Sequence, residues 1–146
     1  MHRSLVASAA LLLAHCSTAV PPPVSRPPTP AFHENCPSFE SRHVGVFSAT
    51  GLRGTTVHRD DGHTTPLAGV QVAARSSRTG KYSFALSRAD GTFEVAPLPP
   101  GDYEVSACLN GFDELRFKLV LTPTSHVTHL QVMVGLSEGG GERGVV

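Results

Sequence analysis

Tryptophan is absent from this chain and charged residues are scarce: Asp, Glu, Lys and Arg make up 16% of its 146 residues. Lys and Arg together number 12, and Asp and Glu also number 12, so the formal net charge at pH 7 is zero. Such a chain has no general electrostatic attraction to nucleic acid or to an anionic membrane surface, and neither is expected as a partner. Without Trp, the core must be built from Val, Leu, Ala and the seven Phe.

Motifs of several catalytic classes are missing as well. The sequence has no Ser-His-Asp arrangement, no phosphate-binding P-loop and no H-E-x-x-H zinc motif. We therefore predict no catalytic residue and no cofactor. Turn formers are abundant instead, with 14 Gly and 12 Pro. Many turns in a chain of this length favour a single all-β domain over a helical bundle.

The N-terminus has the layout of a secretory signal. An apolar run over residues 5–14 follows a short basic start, and the small residues Ser17 and Ala19 come after it. The run is too short to span a bilayer as a stable helix. We therefore predict a signal peptide over residues 1–19, removed after Ala19.

A second processing route is open at the same place. Residues 13–16, Leu-Ala-His-Cys, resemble a bacterial lipobox, in which Cys16 would be lipidated and residues 1–15 removed. His15 departs from the Gly, Ala or Ser that this motif has before the cysteine. Both routes export the chain, so the expected location is the periplasm, the outer membrane or the cell surface. A lipid on Cys16 would be the only membrane attachment.

Beyond the signal the chain divides into three segments. Residues 20–31 read VPPPVSRPPTPA, a proline density that favours an extended polyproline linker. Residues 32–136 carry the pattern of a β-domain. Residues 137–146 contain a glycine run that offers nothing to pack, so we predict a flexible tail there.

Alternation of apolar and polar residues marks the strands of the β-domain. Residues 103–109 form the clearest strand, with Tyr103 and Val105 on its inward side, and Tyr82 is also expected in the core. The other predicted strands are 43–49, 54–58, 69–75, 82–86, 93–95, 115–121 and 130–134, with a polar loop over 59–68. Seven to eight short strands predict an antiparallel Greek-key β-sandwich.

Two turns bracket the strand at residues 93–95. Asp90-Gly91 is a hairpin signal, because Gly adopts the positive φ that such turns require. Leu98-Pro99-Pro100-Gly101 predicts a tight reversal, since Pro restricts φ and Gly tolerates values that other residues resist.

The chain has three cysteines. Cys16 is either removed with the signal or capped by lipid, which leaves Cys36 and Cys108. In an oxidising compartment such a pair often forms a disulfide, the alternative being two unpaired thiols. Cys108 lies on the opposite side of its strand from Val105, so we expect it to face away from the core and to be bridged to Cys36.

The order of these motifs resembles the carboxypeptidase regulatory-like domain. The motifs are Pro66-Leu67-Ala68-Gly69-Val70-x-Val72, Asp90-Gly91-x-Phe93, Leu98-Pro99-Pro100-Gly101-x-Tyr103-x-Val105 and Gly111-Phe112. The resemblance covers residues 52–136. It implies a prealbumin (transthyretin-like) sandwich and a non-catalytic accessory domain of exported or surface proteins, and it names no ligand.

Two further families on similar sandwiches match less well. Transthyretin-like hydroxyisourate hydrolases have a His in the first strand, where this chain has His58, but they end in Tyr-Arg-Gly-Ser and this chain ends in Gly-Glu-Arg-Gly-Val-Val. Cna-B-type stalk domains form a Lys–Asn isopeptide bond beside a buried acid. Here the lysines are Lys81 and Lys118, and Ala107 stands where the acid would be.

Four metal-ligand side chains are close together in the HRDDGH stretch: His58, Asp60, Asp61 and His63. These residue types bind zinc or copper. A solvated loop, in which Asp and Gly simply form the turn, is the simpler interpretation. We predict no metal site and keep these four residues as candidates.

The expected protein is therefore an exported, non-catalytic β-sandwich at the bacterial cell envelope that binds a protein or glycan partner. The alternative is a small transthyretin-like hydrolase or metal-binding protein that uses His58 and His63.

Overall fold

The computed structural model describes residues 41–137 and 143–146. Those residues form strands, turns and loops, with no helix in either range. The ten strands are β1 (Ser41–Ala49), β2 (Arg53–Asp60), β3 (His63–Pro66), β4 (Gln71–Ser76), β5 (Tyr82–Leu86), β6 (Thr92–Glu94), β7 (Gly101–Cys108), β8 (Glu114–Leu121), β9 (Leu130–Met133) and β10 (Gly144–Val145).

The strands form two packed sheets, which confirms the predicted all-β sandwich. The first sheet has the order β1-β8-β7-β4-β5, and the second has the order β10-β9-β2-β3, with β6 also paired to β2. Two pairs, β1–β8 and β2–β9, are parallel, whereas the prediction was wholly antiparallel. Alternation along a strand shows which residues share a side, but it carries no information on the direction of a partner distant in sequence.

The core lies between the sheets and is filled by alternate residues of the central strands. Tyr103, Val105 and Ala107 of β7 point inward, as predicted. So do residues of three other strands: Val72 and Ala74 of β4, Leu115, Phe117, Leu119 and Leu121 of β8, and Leu130 and Val132 of β9. Gly54 of β2 has no room for a side chain, because a Cβ there would collide with the backbone carbonyl of Leu130.

Two predicted turns differ from the structure. The polar loop at 59–68 is in part a hairpin, with β3 paired antiparallel to β2 and Asp61 and Gly62 at positive φ in the turn. Short polar strands exposed on both sides leave no alternation to detect. The Asp90-Gly91 turn does not close a hairpin, since β5 belongs to the first sheet and β6 pairs with β2 in the second.

The Leu98-Pro99-Pro100-Gly101 reversal leads the chain from β6 in the second sheet to β7 in the first. The hydroxyl of Tyr103 donates a hydrogen bond to the carbonyl oxygen of Pro99 at 2.7 Å. The spacing between the reversal and the tyrosine in the motif thus has a physical role, because the ring packs in the core while its hydroxyl holds the reversal.

The prediction that Tyr82 lies in the core is wrong. Tyr82 is 41% exposed, since β5 pairs with β4 in a register that puts Tyr82 opposite Arg75 on the outer face. Tyr82, Phe84 and Leu86 do share a side. The period of the pattern predicts a shared side but does not indicate which side faces the core.

The predicted flexible tail at 137–146 is also wrong for its last residues. Val145 lies in the core at 7% exposure, and β10 pairs antiparallel with β9. Gln131 and Val146 exchange two backbone hydrogen bonds, at 2.6 and 3.0 Å. Two residues are too short for a periodic signal, so only pairing with β9 reveals this strand. The β-domain therefore extends beyond residue 136.

Residues 1–40, which include the predicted signal, the linker, Cys16 and Cys36, lie outside the described residues. Within the parts of the chain that the structure describes, no helix is long and apolar enough to cross a membrane.

Candidate functional site

The outer face of the first sheet is organised in rows by the register of its strands. One row runs from Lys118 of β8 through Glu104 of β7 to Arg75 of β4 and Tyr82 of β5. The next row runs from Arg116 through Ser106 to Ala73 and Phe84. Residues of one row lie side by side because partners in register point to the same face.

The row with Tyr82 is open to solvent. Together with Ser106, Arg116 and His43 of β1 it borders a shallow groove of about 90 Å³. We call this surface the open face; its residues are His43, Arg75, Tyr82, Glu104, Ser106, Arg116 and Lys118. About half of the Arg75 and Glu104 side chains is exposed, at 50% and 59%.

Ion pairs and a ring contact hold the side chains of the open face. Arg75 Nη1 lies 3.8 Å from Glu104 Oε2, and Arg75 Cζ lies 5.9 Å from the centroid of the Tyr82 ring. Arg116 Nε donates to Glu114 Oε2 at 2.9 Å, and this hydrogen bond raises the pKa of the Arg116 guanidinium. The arginines are thus aligned by their neighbours and remain accessible.

A larger groove adjoins the open face at the end of the sandwich. This end groove, about 720 Å³, lies between the β4–β5 turn and the Leu98–Tyr103 reversal. Its lining is Ser76, Ser77, Arg78, Thr79, Lys81, Ser83, Leu98, Pro99, Pro100, Gly101, Asp102 and Tyr103. Hydroxyl and backbone groups dominate, with two cations, and the proline rings add apolar surface.

Hydrogen bonds hold both walls of the end groove. The backbone N–H of Ser77 donates to the carbonyl of Asp102 at 2.9 Å, which joins the two walls. The N–H of Gly80 donates to the Ser76 carbonyl at 2.8 Å, and the Tyr103–Pro99 bond fixes the opposite wall. The groove is therefore built into the fold, and its polar groups are held in place by these hydrogen bonds.

Positive charge is concentrated on these two surfaces although the whole chain is neutral. Five cations line them, Arg75, Arg78, Lys81, Arg116 and Lys118, against two lining carboxylates, Asp102 and Glu104, and the buried carboxylate of Glu114 that pairs with Arg116. Composition could not show this imbalance, because the excess depends on which residues the fold brings together.

His58 lies away from both surfaces, half-buried on β2. Its Nδ1 is 3.0 Å from the Val134 carbonyl oxygen, and its ring meets Phe112 edge-on at 5.7 Å. A carbonyl only accepts, so Nδ1 carries the proton in this hydrogen bond. These contacts join β2 to the start of β8 and the end of β9, which is a structural role.

The other three metal candidates lie in the exposed β2–β3 turn. Asp60 is paired with His63, and Asp61 occupies the turn at φ 46°. Within residues 41–137 and 143–146, no group of three or more His, Cys, Asp or Glu side chains is placed to hold a metal ion.

A buried ionic cluster escaped the sequence analysis. The carboxylate of Asp113, 2% exposed, accepts hydrogen bonds from Arg143 Nε at 2.9 Å, and Arg143 Nη2 lies 2.9 Å from the same oxygen, Oδ2. Arg42 Nε lies 3.6 Å from that oxygen. The cluster ties the C-terminal residues to the start of β8. Asp113 follows the Asn110-Gly111 pair by two residues, and Asp is a common turn residue, so nothing in the sequence distinguished it from its neighbours.

Cys108 is disulfide-bonded. It is 6% exposed and lies outside the cluster of core residues between the sheets, as predicted. Its predicted partner, Cys36, lies outside the described residues, so the pairing stays a prediction, as does lipidation of Cys16.

Comparison with known proteins gives one family and one solved structure. The model of the carboxypeptidase regulatory-like domain matches residues 47–134. The structure of Klebsiella pneumoniae 5-hydroxyisourate hydrolase matches with 24% sequence identity and a TM-score of 0.41, over 63% of this chain and 97% of that chain. No protein with curated annotation matches the chain.

Proposed function

Because this chain belongs to the carboxypeptidase regulatory-like domain family, we propose that it is a non-catalytic interaction module of the bacterial cell envelope. It binds an acidic partner, protein or glycan, across the open face and the end groove. The observation that carries this proposal is the excess of five cations over three carboxylates, the buried Glu114 included, on two adjoining, partly exposed grooves.

The chemistry of the two surfaces supports an acidic and polar partner. Arginine side chains aligned by neighbours recognise carboxylates through charge-assisted hydrogen bonds. Hydroxyl and backbone groups in the end groove suit the alternating donors and acceptors of a sugar chain or an extended peptide. Export is supported by the signal pattern at residues 1–19, and by the proline-rich linker that would hold the domain away from a membrane.

Charge reversal tests this binding surface. We expect the double variant Lys81→Glu/Lys118→Glu to lose about tenfold or more in affinity for the envelope partner, measured by binding to solubilised envelope fractions and to arrays of acidic glycans. Rising salt should weaken binding of the unaltered chain, because exposed charges are screened. The matched control, Arg53→Glu/Arg88→Glu, makes the same charge change outside both surfaces and should bind within about twofold. Equal losses in the two variants would contradict the proposal.

Export and the lack of catalysis have their own tests. Mass spectrometry of the protein isolated from its cells should find an N-terminus at Val20 or an acylated Cys16, and an intact Met1 would refute export. Turnover of 5-hydroxyisourate by the purified chain, abolished by His58→Ala, would refute the non-catalytic assignment in favour of the hydrolase alternative.

A further inference from the structure

The connection between β7 and β8 contains an exposed Asn-Gly turn. The backbone N–H of Phe112 donates to the carbonyl oxygen of Leu109 at 3.0 Å, which closes the turn around Asn110 and Gly111. Gly111 has φ 87°, the left-handed region that favours glycine at this position of a turn. Both central residues are exposed, and a Cβ placed on Gly111 would meet no heavy atom within 4 Å beyond its chain neighbours. The turn therefore stands in solvent.

The two groups of this turn that can react with each other are not held by hydrogen bonds. Among the residues that the structure describes, the Asn110 side-chain amide has no hydrogen-bond partner, and neither has the N–H of Gly111. The next peptide unit is held, because the carbonyl oxygen of Gly111 accepts from the N–H of Ser137 at 3.2 Å. A glycine nitrogen has no side chain beside it, so it can approach the Asn110 carboxamide with little steric hindrance.

We propose that Asn110 is a modification site, which deamidates spontaneously through a succinimide. The Gly111 nitrogen, after losing its proton to hydroxide, forms a bond to Asn110 Cγ. The Cγ–Nδ2 bond then breaks, and the leaving nitrogen takes a proton from water and departs as ammonia. Because both groups belong to one turn, the attack is intramolecular. Water opens the imide at either carbonyl, which yields aspartate or isoaspartate. In total, asparagine and one water become a carboxylate and ammonium, with no oxidation or reduction.

The products change the turn in two ways. Each adds one negative charge to a chain whose formal net charge is zero. Isoaspartate also places the former side-chain methylene in the backbone, so the hydrogen bond from Phe112 to Leu109 no longer fits the longer turn. Phe112 meets the His58 ring edge-on at 5.7 Å and is bridged to Leu136. Isoaspartate should therefore weaken the contacts that join the start of β8 to β2 and to the end of β9. The modification does not depend on the proposed binding function.

Peptide mapping of the full chain, aged at mildly alkaline pH and compared with an unaged sample, tests the site. After reduction, a protease that cleaves after glutamate places Asn110 in peptide 105–114 and Asn35, which precedes Cys36, in peptide 35–40. We expect peptide 105–114 to show the mass of deamidation in separable aspartate and isoaspartate forms. Its rate should rise with pH, because the attacking nitrogen must lose its proton. Asn35 is the internal control and should convert about tenfold more slowly or less, since a side chain flanks its attacking nitrogen. Equal rates, or an unconverted peptide 105–114, would overturn the proposal.

Variants separate the lengthened backbone from the added charge. The isoaspartate form of the aged protein should have a Tm lower by about 4 °C, since one turn hydrogen bond is lost. Asn110→Asp adds the charge alone and should keep its Tm within about 1 °C before ageing. Asn110→Gln is the matched control, because its longer side chain closes the ring less readily, and it should keep both its mass and its Tm during ageing. If Asn110→Gln loses as much Tm on ageing as the unaltered chain, modification of Asn110 does not weaken these contacts.

Discussion

The two ends of the first sheet differ in how their polar groups are held. At the end near Cys108 and Glu114, the Asp113 carboxylate is buried between Arg143 and Arg42, and Cys108 is disulfide-bonded. At the opposite end, Arg75 and Glu104 are about half exposed, Lys118 is exposed, and all three line the shallow groove of about 90 Å³. Both ends rest on the same core, so the contrast lies in what surrounds the polar side chains. A charge in water contributes little to stability and stays available for binding, whereas a buried charge must be paired.

The largest predicted effect is at Asp113. Asp113→Ala should lower the free energy of unfolding by about 3 kcal/mol, because it leaves the partly buried Arg143 without its carboxylate. Urea denaturation with an unchanged m-value is the measurement. The matched control at the open end, Asp102→Ala, should change stability by no more than about 0.5 kcal/mol. Similar losses in the two variants would remove the contrast between the ends.

The next effect tests the wall of the end groove. Tyr103→Phe deletes only the hydroxyl that donates to the Pro99 carbonyl and should cost about 1 kcal/mol, the usual net value of one hydrogen bond. Amide exchange at Gly101 and Asp102 should become faster, since the reversal loses its hydrogen bond to the Tyr103 hydroxyl. Unchanged stability and exchange would show that the proline residues alone hold this wall.

A smaller effect is expected for the ion pair on the open face. Arg75→Ala, Glu104→Ala and the double variant form a cycle whose coupling free energy should stay below about 0.5 kcal/mol, since both side chains are half exposed. A coupling above about 1 kcal/mol, measured at physiological salt, would mean that the pair contributes to stability like a buried one.

The smallest effect is a titration at the exposed Asp90-Gly91 turn. The hydroxyl and then the N–H of Thr92 donate to Asp90, which lowers the pKa of its carboxyl below the ordinary value of 3.8. The pKa of the Asp90 carboxyl is therefore lower in the folded protein than in the unfolded chain. Its small contribution to the free energy of unfolding is present above pH 3.8 and is lost as the pH falls through the folded pKa. NMR titration of Thr92→Val should show the Asp90 midpoint moving up toward 3.8. An unmoved midpoint would assign the shift to another cause.

Where alternation was long and one-sided, sequence reasoning predicted the structure. β7 has three inward-facing residues in alternation and β8 has four, and Val105, Phe117 and Leu119 among them are buried as expected. The proline and glycine turns were located correctly too. The prediction that Asp90-Gly91 closes a hairpin was wrong, because β5 and β6 belong to different sheets. A turn residue specifies a local reversal but not the sheet that the next strand joins.

The candidate site was much less predictable. The HRDDGH stretch drew attention because its ligand types are adjacent in sequence, yet the structure leaves three of its four candidates in an exposed turn. The cations of the open face and end groove come from two regions that are far apart in the chain: β4 with the turn that follows it, and β8. Arg143 lay in a segment predicted to be a tail. Clusters of this kind arise from strand register, which short-range patterns do not encode.

The sequence by itself determined the strand pattern, the turns and the family, because these depend on residues within a few positions of one another. Only the tertiary structure decided which face of β5 meets solvent, that β1 pairs in parallel with β8 and β9 with β2, and that a neutral chain carries a basic surface at one end and a buried carboxylate at the other. Those features depend on hydrogen bonds and packing between residues distant in sequence. These contacts stabilise the protein only after both sheets have formed.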